Sequence, residues 1–131
     1  KQKKDFPDGI PECGADALRF GLLAYTVQGR DVNLDILRVV GYRQFCNKIW
    51  NACKFALEYV SDFTPTPTTS IDLINMRGIS KRDLYILHRL NETITECDIN
   101  FKSYLFGNVT TTLHSFFLYD VCDLYLELLK P

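Results

Sequence analysis

The sequence predicts an all-α fold, a four-helix bundle built as two helical hairpins. Apolar residues recur at helical spacing in four separate stretches, cap and breaker residues flank those stretches, and no strand-type alternation is long enough to compete. At 131 residues, 47% hydrophobic and 24% charged, the chain is one domain's worth and can bury a core without disulfides or metal. Disorder, a collagen repeat and a disulfide scaffold are excluded on composition. The formal net charge of -1 excludes a globally basic nucleic-acid binder but not a local basic stripe. Five unclustered cysteines fit reduced thiols in an intracellular protein.

Residues 1 to 13 read as a lead-in, with Pro7, Gly9 and Pro11 breaking any period. The first helix is expected over about 14 to 26, with Leu18, Leu22 and Leu23 inward and Asp16 in the first turn, where a carboxylate suits the helix dipole. Asn33 is the expected N-cap of a long second helix from Leu34 to about Val60, with Asp35 in its first turn. On that helix Phe45, Ile49, Ala52, Cys53, Ala56 and Val60 fall in one arc of about 100°, a core-facing stripe. The Pro/Thr-rich stretch from Asp62 to Gly78 reads as a stiff, exposed connection between hairpins. Ser80 and Asp83 form a capping-box variant that opens a third helix, with Leu84, Leu87, Leu90, Ile94 and Cys97 inward. After a break at 101 to 107, a fourth helix is expected to run to about Leu129. Its inward set is Val109, Leu113, Phe116, Phe117, Val121, Leu124 and Leu128.

No apolar run approaches the roughly 18 residues of a membrane span, and no apolar signal segment follows the basic start, so a soluble protein is expected. The start without Met and the end at Pro131 directly after an amphipathic run imply a piece of a longer polypeptide.

Catalytic or metal chemistry finds no residues at the required spacings. His88 and His114 stand alone, there is no Cys-x-x-Cys, and Cys46 and Cys53 read as small hydrophobes. The two glycosylation sequons, at Asn91 and Asn108, fall within or at the start of expected helices and read as chance. One arrangement is more informative. Gln44, Lys48, Asn51 and Phe55, spaced four, three and four, lie within about 60° of one another on the second helix, roughly 120° from its apolar stripe. A ring for stacking, amides for base edges and a cation on one line suit unstacked bases. The same spacing fits a solvated face with Phe55 tucked under a neighbour, and spacing alone favours that plainer reading.

The strings Gly9-Ile-Pro-Glu-Cys-Gly-Ala-Asp-Ala-Leu-Arg-Phe-Gly-Leu22, Gly29-Arg-Asp-Val-Asn-Leu-Asp35 and Gly41-Tyr-Arg-Gln-Phe-Cys-Asn-Lys-Ile-Trp-Asn-Ala52 closely resemble the valyl-tRNA synthetases, a class I family. Leu87-His-Arg-Leu-Asn-Glu-Thr-Ile94 and Cys122-Asp-Leu-Tyr-Leu-Glu127 continue the likeness through the family's anticodon-binding domain, and the eukaryotic cytosolic form is the nearer match. Leu84 stands where the family usually has Trp, and Val121 and Leu124 where it has Phe and Trp. The two ATP-site signatures of the family are absent from this chain. The resemblance implies a lead-in from the catalytic core over residues 1–13 and a helical anticodon-binding domain over 14–131. It implies no cofactor in this piece, whereas the full-length enzyme uses ATP with magnesium to ligate valine to its tRNA and edits mischarged threonine. The implied partners are valine tRNA and the catalytic domain of the same polypeptide, without membrane or DNA, in the cytoplasm.

The resemblance also sets Lys48, Phe55 and Leu126 against the anticodon bases. Lys48 and Phe55 thus follow from both arguments, Asn51 and Gln44 from the stripe alone, and Leu126 from the resemblance alone. Arg43 and Arg38 are nominated for tRNA phosphates. No catalytic or metal-binding residue is nominated. The alternatives are a helical protein-interaction module, mildly favoured by the near-neutral charge, and the equivalent domain of an isoleucyl- or leucyl-tRNA synthetase.

Overall fold

The structure is a computed structural model that describes residues 6–27, 33–62, 64 and 78–130. Among these residues the chain forms α1 (Ala15–Tyr25), α2 (Ile36–Tyr59), α3 (Lys81–Lys102) and a fourth helical rod, with no strand. The rod is built from α4 (Phe106–Ser115), a π-helical segment (Phe116–Tyr125) and a final turn α5 (Leu126–Leu129). The all-α reading with four helical units therefore holds. Most of the Pro/Thr-rich connection, and the loop at 28–32, lie outside the described residues.

Helix ends follow local chemistry, with one correction. The N-cap of α2 is Asp35, not Asn33: its carboxylate accepts from the Leu37 N–H at 2.9 Å, and its own N–H donates to the Tyr25 hydroxyl at 3.1 Å. Both residue types cap well, and the Tyr25 contact fixes Asp35 at the position where the chain leaves α1. The capping box of α3 is present as expected, with Ser80 and Asp83 exchanging bonds at 3.2 Å in each direction. That helix runs on to Lys102 and closes in a Schellman turn. The Leu105 N–H donates to the Asn100 carbonyl at 2.8 Å, and Tyr104 takes the left-handed position at φ 57° where glycine is usual.

The core is narrower than the leucine pattern predicted. On α1 the buried face is Ala17, Gly21 and Tyr25, while Leu18, Leu22 and Leu23 are each more than 40% exposed. Small residues face inward because α1 lies close on α2: a Cβ on Gly21 would sit 3.3 Å from the Tyr42 ring and 3.5 Å from Val39. Gly107 is tighter still, since any side chain there would collide with Val27. On α2, Val39 and Phe45 are buried and Ile49 and Ala52 half-buried, but Cys53, Ala56 and Val60 of the expected stripe are exposed. On α3, Cys97 is buried beside Thr93 and Asn100, and Leu87 is half-buried, whereas Leu84, Leu90 and Ile94 are exposed. In the rod, Val109 and Phe116 are buried and Phe117 and Val121 half-buried, but Leu113, Leu124 and Leu128 are exposed. For Leu124 and Leu128 the cause is the π-helical segment, shown by the Leu126 N–H bonding to the carbonyl of Val121 five residues back; Leu113 precedes it, in α4. Wider turns rotate each residue by less than a count of 100° assumes, so the predicted face drifts off the real one.

Two centres hold the elements together. Phe45 packs against Phe20 of α1 (5.5 Å between ring centres), His114 of α4 (4.5 Å) and Phe117 of the π-helical segment (6.4 Å). The second centre is polar. Asp120 accepts from the Tyr85 hydroxyl at 2.9 Å and from Arg89 Nε and Nη2, both at 3.3 Å, and Arg89 also bonds Glu92 at 2.7 Å. Nearby, the Tyr125 hydroxyl donates to Asp83 at 3.0 Å and Arg82 Nη1 to the Leu128 carbonyl at 2.6 Å. These bonds lock the rod to α3 in one rotational setting. Asp120→Ala leaves Tyr85 and Arg89 without their acceptor and is expected to lower stability by about 2 kcal/mol, read by urea unfolding.

His114 gives a pH dependence. Burial among aromatic rings pushes its imidazole below the usual value. The unfolded chain then binds the proton more readily than the folded one, so stability is full above the unfolded value and falls as the pH drops below it. Melting temperature should decline from about pH 7.5 to 5.5, and His114→Gln should flatten that decline relative to wild type.

Candidate nucleic-acid interface

Position by position, α2 carries Lys48, Asn51, Ala52 and Phe55 along one side, and the end of the rod carries Cys122, Leu126, Glu127 and Lys130 opposite. Together these eight residues line an open groove of about 230 Å³. Its floor is apolar: Ala52, Phe55 and Leu126 are half-buried and Cys122 is buried. Burial pushes the Cys122 thiol up, so at neutral pH it is an uncharged surface. The Phe55 ring leans on Tyr59 at 4.9 Å between centres and keeps part of its face open to the groove.

The polar rim consists of acid–base couples. Lys48 Nζ donates to Asp123 Oδ1 at 2.8 Å, joining the middle of α2 to the π-helical segment, and Lys130 Nζ donates to Glu127 Oε1 at 2.6 Å. The Asp123 hydrogen bond holds the Lys48 ammonium above its ordinary value. Asn51 adds an exposed amide between Lys48 and Phe55.

Four of the seven nominated residues thus come together: Lys48, Asn51, Phe55 and Leu126. Gln44 is exposed one turn earlier and does not line the groove. Arg38 lies about 15 Å from Lys48 along α2. Its Nε donates to the Tyr42 hydroxyl at 3.3 Å and its guanidinium sits 4.8 Å from the centre of the Tyr25 ring. Arg43 Nη1 donates to the Glu12 carbonyl at 3.1 Å. Both arginines are therefore held on the α1 side. Among the described residues, Lys48 is the one of Arg38, Arg43, Lys48 and Lys54 that pairs with a carboxylate.

Periodicity alone missed Asp123, Glu127 and Lys130, because it reads each helix separately and this groove lies between two. The signal available was the Cys122-to-Glu127 string, which carries three of the facing residues. Among the described residues, no helix is long and apolar enough to cross a membrane, and no three His, Cys, Asp or Glu side chains cluster as metal ligands.

Residues 83–131, from α3 through the rod, match the family model of the anticodon-binding domain of tRNA ligases. Across nearly its whole length the chain is homologous to one segment of the valine–tRNA ligases. It is 53% identical over 131 residues to the valine–tRNA ligase of Homo sapiens and 51% identical to that of Takifugu rubripes, in each case over 99% of this chain and 10% of the relative. The mitochondrial valine–tRNA ligase of Mus musculus is 46% identical over 99% of this chain and 12% of its own length. The chain thus spans about a tenth of the curated relatives it matches. No solved structure gives a significant match.

The Lys48–Asp123 couple is half exposed on both sides, and such pairs add little to folding. Lys48→Met should change unfolding free energy by no more than about 1 kcal/mol in a denaturant titration. A larger loss would make the couple a structural strut.

Proposed function

We propose that this chain is the anticodon-binding domain of a valine–tRNA ligase and holds the anticodon loop of valine tRNA in the groove between α2 and the rod. Residues 14–131 form the domain and residues 1–13 lead in from the catalytic part of the same polypeptide. The whole enzyme would use ATP with magnesium to ligate valine to its tRNA and would edit mischarged threonine. This piece supplies tRNA selection rather than bond chemistry. Identity is higher to the relatives not named as mitochondrial, 51–53%, than to those that are, 45–46%, which supports a cytoplasmic enzyme.

The reading rests above all on the convergence of Lys48, Asn51, Phe55 and Leu126 on one groove with an apolar floor and a polar rim. One base stacks on Phe55 against Leu126, while Lys48 and Asn51 meet base edges. Gln44 extends the same face. Arg38 and Arg43, on the α1 side, are the proposed phosphate contacts; each keeps guanidinium N–H groups beyond those already bonded within the chain.

Phe55→Ala should weaken binding of a valine anticodon stem-loop by about 1 to 3 kcal/mol in a fluorescence titration, with the helical signal unchanged. Unaltered affinity in a folded variant would remove Phe55 from the interface. Wild type should keep its preference over a loop with the anticodon replaced as salt rises, because base contacts release fewer counterions than phosphate contacts.

A further inference from the structure

A second cleft lies between α2 and the rod, toward the N-terminal end of α2. Arg38 and Tyr42 of α2, Phe20 of α1, and Thr111, His114 and Ser115 of α4 line an open space of about 230 Å³. Among the described residues, no carboxylate lines it. The groove at Phe55 differs in this respect, because Asp123 and Glu127 there occupy the ammonium groups of Lys48 and Lys130.

The donors of this cleft are oriented and largely unspent. Arg38 is held from two sides, its Nε donating to the Tyr42 hydroxyl at 3.3 Å and its guanidinium 4.8 Å from the centre of the Tyr25 ring, which leaves both Nη groups for a ligand. The Tyr42 hydroxyl accepts that bond and keeps its own proton to give. The side chains of His114 and Ser115 make no hydrogen bond to another described residue, and neither carries a buried polar atom without a partner, so their polar atoms are open to the cleft. Phosphate oxygens only accept, and a guanidinium, a phenol, a hydroxyl and an imidazole all donate to them.

Resting on the anticodon reading above, we propose that this cleft holds one backbone phosphate of the same tRNA arm, with Arg38, Tyr42, Ser115 and His114 as its donors, and that binding it draws a proton onto His114. Arg38 stands about 25 Å from Phe55 along α2, so the cleft meets a part of the backbone that is the same whatever the anticodon. The His114 ring packs at 4.5 Å on Phe45 and meets Tyr42 edge-on at 6.4 Å, and burial holds its imidazole below the ordinary value. The charged and titratable groups that share the cleft with it are Arg38 and Tyr42 of α2; α1 adds Phe20, and α3 places no group there. A phosphate anion supplies the counter-charge that the protein does not, and the proton comes from solvent. The complex then carries more protons than the free chain, so affinity rises as the pH falls toward the free imidazole value and levels off below it.

The test follows the His114 imidazole by NMR, with His88 on α3 as the reference. It also measures affinity of the 131-residue chain for the valine anticodon stem-loop and for the loop with its anticodon replaced, at pH 7.5 and 6 over a range of salt. In wild type either stem-loop should raise the midpoint of the His114 titration. Affinity for both should climb by roughly threefold or more at the lower pH, and the slope of log K against log salt should steepen by about one. His114→Gln should remove both changes and keep the preference for the valine loop. Arg38→Gln, at an exposed side chain, should lower the salt slope by about one at either pH, and it carries the test if His114→Gln does not fold. A His114 midpoint that the stem-loops leave unmoved, or a folded His114→Gln that follows the wild-type profile, overturns the phosphate cleft and leaves the anticodon reading standing. A midpoint raised by inorganic phosphate but not by the stem-loops assigns the cleft to free phosphate and overturns its role toward RNA. Equal binding of both loops with the His114 changes present overturns the anticodon reading and leaves a backbone site; binding of neither loop overturns both.

Discussion

The groove depends on one buried carboxylate. Asp120 takes hydrogen bonds from Tyr85 and from two nitrogens of Arg89, and this sets the rotation of the π-helical segment against α3. Asp123, which bonds Lys48 of α2, and Leu126, which lines the groove, lie three and six residues further along, so the same setting fixes where both stand. A hydrophobic seam would tolerate sliding and rotation far better than three directed bonds to an almost fully buried acceptor. The bonds from Tyr125 to Asp83 and from Arg82 to the Leu128 carbonyl repeat the arrangement at the end of the rod. Thus α3, which contributes no side chain to the groove lining, decides where one of its walls stands.

Phe45 positions the other wall. It binds α1, α2 and the rod through ring contacts, and Lys48 follows less than one turn later on the same helix. Directional polar bonds on one side and aromatic packing on the other leave the Lys48–Asp123 couple to close the gap between two walls already fixed. An exposed ion pair suits that place: a pair bound weakly by solvent screening can open its second oxygen and spare N–H groups to a ligand without disturbing the fold.

Much of this was legible in the sequence, and the losses share a cause. The helical units, the Ser80–Asp83 box and the common face of Lys48, Asn51 and Phe55 depend on spacing within one element. The buried face of α1 was missed because apolar bulk was taken to mark the core, whereas Gly21 and Ala17 face inward to let two backbones approach. Leu124 and Leu128 of the rod lie off the face counted at 100° because a π-helical segment alters the angle per residue, and no residue type announces it. Asp123 and Glu127 required knowing which faces of α2 and the rod meet, and periodicity within a single helix carries no information about that.

For the proposed anticodon reading, a net charge of -1 is unexpected only if binding is pictured as charge attraction. Attraction to phosphate raises affinity for every RNA alike, whereas selecting one tRNA requires a difference between nearly identical loops. A locally neutral groove lowers the general term and leaves the base-edge term to decide. On this view the carboxylates beside Lys48 and Lys130 act by cost as well as by contact: they disfavour phosphate, while the apolar floor of Phe55 and Leu126 suits the flat face of a base.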